Sequence, residues 1–185
     1  AESAIEWQSD TAIIVTPNNP TALSVPRDSV IHLAQRLESH NCRLIVDESF
    51  IEFARAGVSS SVETMVEQCP NLVVIKSMSK VFGVAGVRLG YLLSADTKFI
   101  AAVRGHLPIW NINGLAEEFL RTAGRYRSEF KDSCEVTRTS CQAFYQALKK
   151  LPGIAPLQPD ANFILCKLTD PAADGRDLAR LLYVE

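Results

Sequence analysis

The chain has 185 residues, of which 47% are hydrophobic and 22% charged, and its formal net charge at pH 7 is -2. This composition is typical of a globular protein with a sizeable core, and it lacks the basic surface of a nucleic-acid-binding protein. No apolar run reaches the roughly 18 residues that a membrane-spanning helix needs, and the first residues lack the pattern of a signal peptide. We therefore expect neither a nucleic-acid partner nor a membrane partner.

Five cysteines are present, and no two of them form a C-x-x-C pair. An odd number of thiols without that spacing favours neither a disulfide framework nor a metal site. The expected compartment is therefore the cytoplasm, with no bound metal.

Two predicted strands end in polar side chains suited to ligand contacts. The first, at residues 11–16, stops at Pro17-Asn18-Asn19-Pro20, a sequence typical of a rigid turn. After a predicted helix at residues 25–40, the second strand, residues 42–46, ends in Asp47-Glu48. Open α/β sheets place ligand contacts at such strand ends, although a helix cap or a solvated acid pair is an equal alternative from these residues alone.

A lysine among small hydroxyl residues follows the third predicted strand, residues 71–76. Ser77-Met78-Ser79-Lys80 comes directly after this strand, and Arg88 stands eight positions beyond the lysine. A partly desolvated lysine amine loses its proton readily and forms Schiff bases, whereas serine hydroxyls and an arginine fork suit a phosphate. The segment therefore indicates a phosphate-bearing cofactor anchored on Lys80.

The order of the predicted elements indicates an α/β fold. A crossover helix is predicted over residues 58–68 and another strand over residues 87–93. Strand, helix and strand in repeated order predict a three-layer αβα arrangement around a mainly parallel sheet. A long helical stretch, residues 115–150, follows, and its aromatic residues are predicted to be core. A further strand is predicted over residues 162–166.

Ser-x-Ser-Lys followed by Gly-x-x-Gly-x-Arg-x-Gly-Tyr, residues 77–91, resembles the lysine motif of the fold-type-I pyridoxal-phosphate enzymes in the class I/II aminotransferase branch. The likeness is nearest to histidinol-phosphate aminotransferases and threonine-phosphate decarboxylases. Residues 16–22 stand where this family has Asn-Pro-x-Asn-Pro-Thr-Gly, and residues 47–50 where it has Asp-Glu-Ala-Tyr. The resemblance implies pyridoxal 5'-phosphate as the cofactor and makes residues 87–93 an antiparallel strand of the sheet.

The resemblance also implies roles for individual residues. Lys80 anchors the cofactor and then acts as the general base, while Asp47 pairs with the pyridine nitrogen and Asn19 with the ring oxygen. Asn162 lies near the substrate carboxylate or only ties down its strand. The implied phosphate ligands are Ser77, Ser79 and Arg88.

Phe50 departs from the family pattern, because most family aminotransferases have a tyrosine there that hydrogen-bonds the cofactor. A phenylalanine cannot donate a hydrogen bond. This substitution is a hint toward decarboxylation or a specialised substrate.

The family likeness divides the chain into three parts. Residues 1–105 are predicted to form part of the cofactor-binding large domain, residues 106–130 an interdomain helix, and residues 131–185 the start of a small α+β domain. It further implies that the chain is a central fragment of a longer homodimeric enzyme and that the fragment by itself is inactive or binds cofactor weakly.

The first functional expectation is an aminotransferase of amino-acid biosynthesis that moves an amino group between an amino acid and a 2-oxo acid. A phosphorylated substrate resembling histidinol phosphate is left open. The alternative is a threonine-phosphate-type decarboxylase. A non-catalytic interaction module is a third hypothesis, which the presence of Lys80 disfavours.

Overall fold

A four-stranded mixed sheet forms the centre of the protein. The computed structural model describes residues 2–183. The sheet consists of β1 (Thr11–Val15), β2 (Arg43–Asp47), β3 (Leu72–Ser77) and β4 (Gly90–Ser94), in that spatial order. The first three strands are parallel, and β4 runs antiparallel to β3. The predicted mainly parallel sheet with an antiparallel strand after the lysine segment is therefore confirmed.

Helices precede, connect and follow the strands of the sheet. No helix among residues 2–183 is long and apolar enough to cross a membrane. The helices are α1 (Glu2–Glu6), α2 (Arg27–Glu38), α3 (Met78–Val81), α4 (Thr97–Gly105), α5 (Gly114–Ala123), α6 (Arg127–Leu148) and α7 (Gly175–Tyr183).

The main core lies between α2 and one face of the sheet. Strand residues alternate between faces, so Leu44 and Val46 of β2 point to the same side as Val74 of β3. These side chains pack against Val30 and Leu37 of α2, and all five are buried. Burying one such side chain contributes about 1.5–3 kcal/mol, which fixes the register of the strands. We call this side of the sheet the α2 face and the opposite side the cleft face.

The helix predicted over residues 58–68 is wrong. This segment instead forms two short 3₁₀ turns, Gly57–Ser60 and Glu63–Met65. The hydroxyls of Ser59 and Ser60 donate to backbone carbonyls three residues earlier. Serine side chains that bond the nearby backbone in this way compete with helix formation.

The part of the chain after residue 113 is more divided than the sequence predicts. A 3₁₀ turn at Gly124–Tyr126 separates α5 from α6. Phe130 stacks on Phe82 at 4.1 Å between ring centroids, as expected of a core residue, whereas Phe144, also predicted to be core, is 59% exposed.

The strand predicted over residues 162–166 is shifted. The observed hairpin pairs β5 (Ile154–Pro156) with β6 (Cys166–Leu168). The preceding residues instead contact the loops that follow β1 and β2, because the Asp160 carboxylate accepts from Arg55 and the Asp160 amide donates to the Ala22 carbonyl. These contacts hold the segment before β6 outside the hairpin.

Candidate active site

A cleft of about 710 Å³ opens where β2 and β3 end and β4 begins. Parallel strands end at one edge of a sheet, and β4 starts at that edge because it is antiparallel. The structure brings four of the sequence-predicted residues to this cleft, and all four contribute to its walls: Asp47, Ser77, Lys80 and Arg88.

The amine of Lys80 enters the cleft from α3, the short helix that directly follows β3. The amides of Met78 and Ser79 donate to the carbonyl of Leu89, the residue just before β4, and hold the start of this helix beside that strand. The Lys80 Nζ lies 4.8 Å from the centroid of the Phe50 ring, and none of residues 2–183 forms a salt bridge with it. The amine is therefore available to a ligand.

The backbone around Arg88 is shaped for a close turn. Arg88 adopts a left-handed conformation with φ of 54°, which is uncommon for a residue other than glycine and is typical of functional sites. Its Nη1 donates to the Ala85 carbonyl at 3.2 Å. A Cβ at Gly90 would lie 2.7 Å from the Lys76 carbonyl oxygen, so only glycine fits there.

Asp47 is the last residue of β2, and its side chain is half-buried. Its Oδ1 accepts a hydrogen bond from the Ser49 amide at 2.9 Å. Ser49 also binds the next strand, since its Oγ accepts from the Ser77 amide at 2.9 Å. The Ser49 amide thus orients the Asp47 carboxylate, and the Ser49 hydroxyl connects this turn to Ser77, where the lysine segment begins.

Ser79 differs from the other predicted phosphate ligand, Ser77. The Ser79 side chain is buried, and its Oγ accepts from the Leu89 amide at 2.9 Å and lies 3.3 Å from the Leu89 carbonyl. It is absent from the walls of the cleft among the described residues. In this structure Ser79 joins the lysine segment to the chain before β4.

Asn19 and Asn162 lie outside the cleft. Asn19 is exposed on the loop after β1, where the neighbouring Asn18 donates to the Thr21 hydroxyl at 2.8 Å. Asn162 lines a second cavity, of about 520 Å³, that also contacts Lys80 and is walled by Phe82 among other aromatic residues. Lys80 is the residue through which the two cavities adjoin.

Sequence reasoning missed several polar residues that line the cleft: Ser49, Lys76, Tyr91, Arg104 and Asn111. Ser49 follows the predicted carboxylate pair directly, so the strand end was a usable signal. Arg104 stands in the last turn of α4, where a basic residue is already explained by the helix dipole. Its position beside the cleft depends on tertiary packing.

A buried charged network on the α2 face was also missed. Lys76 Nζ lies 3.1 Å from Glu52 Oε1 and 2.9 Å from Glu63 Oε1. Tyr91 donates to the same Glu63 oxygen at 2.5 Å, and burial raises the Tyr91 pKa to about 12. Glu48 is fully buried nearby.

The Glu48 carboxylate accepts hydrogen bonds from the Ser61 hydroxyl at 2.5 Å and from the Val62 amide at 2.8 Å. Burial raises the pKa of this carboxyl above its usual value, partly offset by those two hydrogen bonds and by the nearby Lys76 charge. The two residues of the Asp47-Glu48 pair therefore face different environments.

The residues of the cleft fit pyridoxal phosphate chemically. Lys80 supplies an amine without an acidic partner among residues 2–183, and Asp47 supplies a carboxylate at the strand end. Ser77 and Arg88 supply a hydroxyl and a guanidinium for a phosphate. A ring that carries a basic nitrogen, an aldehyde and a phosphate matches this set of groups.

Comparison with curated proteins gives relatives with several activities. The chain is 45% identical over 160 residues to a CMP-5'-(3-aminopropyl)phosphonate synthase of Streptomyces rubellomurinus, covering 86% of this chain and 25% of that protein. It is 37% identical over 169 residues to an L-serine phosphate decarboxylase of Sulfurospirillum multivorans, covering 87% and 42%. It is 30% identical over 164 residues to a histidinol-phosphate aminotransferase of Chlorobium luteolum, covering 89% and 44%.

Two solved structures share the fold over almost the whole chain. A decarboxylase from Sulfurospirillum multivorans gives a TM-score of 0.89 at 31% identity, covering 99% of this chain and 52% of that one. The histidinol-phosphate aminotransferase from Clostridium acetobutylicum gives a TM-score of 0.89 at 28% identity, covering 99% and 54%. The chain thus spans between a quarter and about half of the proteins it matches.

The predicted α/β fold and the predicted cofactor are both confirmed by these matches. Residues 2–185 match the family described as aminotransferase class I and II. The chain therefore belongs to the class I and II aminotransferase family of pyridoxal-phosphate-dependent enzymes.

Proposed function

We propose that this chain is the central part of a pyridoxal-phosphate-dependent decarboxylase whose substrate is an amino acid bearing a phosphate or phosphonate. The observation that carries the proposal is the position of the Lys80 amine, 4.8 Å from the Phe50 ring, in a cleft that two arginines also line. Aminotransfer is the second candidate and uses the same residues.

Each predicted residue has a defined task in this proposal. Lys80 binds the cofactor and then moves a proton at the substrate α-carbon, and Asp47 holds a proton on the pyridine nitrogen. Ser77 and Arg88 bind the cofactor phosphate. When bound, the cofactor supplies an electron sink for the bond to the α-carbon that breaks. Asn19 does not line the cleft. Its assignment to the ring oxygen therefore rests on family resemblance alone.

The apolar Phe50 ring beside the Lys80 amine favours loss of a carboxylate, although Phe50 itself is not among the residues that line the cleft. The buried Phe50 ring packs edge-on against Phe163, with 5.1 Å between ring centroids, and offers no hydrogen-bond donor. A carboxylate loses its negative charge as CO₂ departs, so an apolar wall stabilises the departing group better than the charged reactant. A tyrosine at position 50 would instead donate a hydrogen bond.

Arg104 is the proposed ligand of the substrate phosphate. It lines the same cleft as Lys80 and Arg88, and none of residues 2–183 forms a salt bridge with it. If Arg88 binds the cofactor phosphate, Arg104 is the remaining guanidinium for a second anion. The relatives described above include proteins named for serine phosphate, histidinol phosphate and a phosphonate, which supports a substrate with such a group.

Aminotransfer is supported by a different observation, the histidinol-phosphate aminotransferase of Clostridium acetobutylicum, which matches this fold as well as the decarboxylase does. The hypothesis of a non-catalytic module is weaker, because the cleft retains both the lysine and the strand-end carboxylate. Homodimerisation, the cytoplasmic location and the three-part domain division remain proposals drawn from family resemblance.

The two reactions are distinguished by their products. The full-length protein, loaded with pyridoxal phosphate, is incubated with carboxyl-labelled phosphoserine or phosphothreonine, and with histidinol phosphate plus 2-oxoglutarate. In decarboxylation the bond between the α-carbon and the carboxylate breaks, CO₂ leaves and a proton adds to the α-carbon, giving an amine. We expect labelled CO₂ and the amine, without glutamate.

Glutamate formed without CO₂ would contradict the decarboxylase proposal and establish aminotransfer. Lys80→Ala is the control for chemistry at the cofactor. Phe50→Tyr adds a single hydroxyl to the ring beside the Lys80 amine and is expected to lower the ratio of CO₂ to aminotransfer products. An unchanged ratio would show that Phe50 does not control the reaction.

A further inference from the structure

The charged network on the α2 face joins three separate segments of the chain. Lys76 belongs to β3, Tyr91 lies opposite it in β4, and Glu52 and Glu63 come from the region between β2 and β3. Lys76 is only 6% exposed, although it carries a charge. A buried ammonium is costly unless it is paired, and here both carboxylates lie within 3.1 Å of it.

Each joined segment also carries a residue of the cleft. Lys76 stands four residues before Lys80, and Tyr91 three residues after Arg88. Glu52 lies in the 3₁₀ turn Ile51–Phe53, three residues after Ser49, which lines the cleft. Neighbouring strand residues face opposite sides, so the Ser77 side chain points to the cleft face and the Lys76 side chain to the α2 face. Lys76 and Tyr91 nevertheless both contribute to the cleft walls, so the network borders the cleft from the α2 side.

The Glu52 turn is held from a second direction as well. Arg138 of α6 donates from Nη1 to the Glu52 carbonyl at 2.6 Å. The Glu52 carboxylate is buried, and its Oε2 has no hydrogen-bond partner among the described residues. The ion pair with Lys76 is thus the main polar contact that fixes this side chain.

We propose that Lys76 is a positioning residue: its ammonium, held between two carboxylates on the α2 face, fixes the three segments that form the cofactor site on the cleft face. The inference rests on the cofactor chemistry of the proposed function and holds for decarboxylation and aminotransfer alike. In this proposal Lys76 acts through the three segments and not as a ligand of the cofactor.

We attribute the burial of the Lys76 charge to the arrangement that it imposes on its partners and not to a gain in folding stability. Buried ion pairs contribute little net stability compared with apolar side chains of similar size, but they require a defined arrangement of their partners. The Lys76 ammonium lies between the Glu52 and Glu63 carboxylates, which would otherwise repel each other. Its position therefore sets the distance between these two side chains. Glu48 and Tyr91 are the other titratable groups that face this site.

The test uses the full-length protein and cofactor binding rather than turnover. Lys76→Met alone leaves two buried carboxylates without a cation, so the decisive variant combines Lys76→Met with Glu52→Gln and Glu63→Gln. We expect it to fold, as judged by circular dichroism, and to bind pyridoxal phosphate about 10- to 100-fold more weakly. The pH midpoint of the cofactor's visible absorption band should also shift.

Lys76→Arg keeps the cation and should restore most of the affinity and the native pH midpoint. The matched control is Arg43→Met, which removes a cation paired with Asp96 at 3.3 Å, at the end of β2 remote from the cleft. This control should bind cofactor like the native protein.

Native affinity and an unchanged pH midpoint in the folded triple variant would overturn the proposal. A triple variant that unfolds would show a role in stability alone and would also contradict it. Lack of substrate turnover by the native protein would contradict only the proposed function, because cofactor affinity is measured without substrate.

Discussion

Among the described residues, the charged side chains near the site are unpaired on one face of the sheet and paired on the other. On the cleft face, Lys80 and Arg88 have no acidic partner among residues 2–183, although both belong to the same cleft. On the α2 face, Lys76 contacts two carboxylates, and Glu48 accepts two hydrogen bonds. Charges left unpaired at a strand end indicate a ligand, whereas charges paired inside the core indicate a scaffold.

Sequence neighbours fall on opposite sides of this division because strand residues alternate in direction. Asp47 lines the cleft while Glu48 is fully buried. Ser77 and Lys76 both border the cleft, but the Lys76 side chain is buried and paired with two carboxylates. Substitutions on the cleft face should therefore change cofactor chemistry with little effect on unfolding, and those on the α2 face should affect folding or geometry.

Lys80→Ala should produce the largest effect. Without the amine there is no covalent attachment and no proton carrier at the α-carbon, so turnover should fall by at least about 10³-fold. Borohydride reduction of the pyridoxal-phosphate-loaded protein, followed by peptide mass spectrometry, should find an adduct on Lys80 and none in the variant.

The melting temperature of Lys80→Ala should stay close to native, since this side chain is exposed and unpaired. An adduct on Lys76, or a large loss of stability in Lys80→Ala, would contradict the division between the faces.

Asp47→Asn should produce the second-largest effect. Asparagine can still accept from the Ser49 amide and so preserve the turn, but it provides no negative charge for a protonated pyridine nitrogen. We expect kcat/KM to fall by about 10²- to 10³-fold, as when one preorganised electrostatic group is removed. Cofactor spectra and steady-state rates measure the loss; near-native rates would exclude Asp47 as the ring partner.

The sequence predicted the parts of this site that depend on local order along the chain. Strand ends are visible as apolar runs followed by polar residues, and this signal located Asp47, Ser77 and Lys80. The antiparallel direction of β4 and the identity of the cofactor came from family resemblance rather than from the residues themselves.

The parts that the sequence did not predict depend on long-range contacts. The helix expected over residues 58–68 is absent because Ser61 and Val62 bond to Glu48, thirteen and fourteen residues earlier in the chain. Arg104 stands in the last turn of α4, where the helix dipole already explains a basic residue, and Lys76 ends the predicted third strand. Only the folded structure shows one beside the cleft and the other between two glutamates.

Arg104→Gln should discriminate between substrates rather than disable the site. Loss of a charge-assisted contact to a substrate phosphate should raise KM for phosphoserine about 10- to 100-fold, with kcat changed less. The same variant should bind pyridoxal phosphate normally. Arg104→Lys should retain part of the affinity because it keeps the charge but not the fork.

The matched control is Arg121→Gln, whose guanidinium is exposed on α5 and paired with Glu117 at 2.6 Å. It should leave KM unchanged. An Arg104→Gln variant that loses cofactor affinity instead would assign this arginine to the cofactor phosphate.

Glu48→Gln should give the smallest effect, which is seen only as a change in the pH dependence of the unfolding free energy. Burial raises the folded-state pKa of Glu48, so folding favours its protonated form. Its contribution to stability is fully present below the unfolded pKa of about 4.3 and is lost as pH rises through the folded pKa. Glutamine does not titrate and can keep both contacts, accepting from the Val62 amide and donating to the Ser61 hydroxyl.

The unfolding free energy of the native protein should therefore decline relative to that of Glu48→Gln as pH rises above about 4, where the unfolded chain begins to lose this proton while the folded protein retains it. Urea unfolding of both proteins across this range measures the difference. A constant difference would mean that Glu48 ionises in the folded protein as it does in the unfolded chain. The α2 face would then hold an ordinary carboxylate in a buried position, and the contrast with Asp47 on the cleft face would concern position alone.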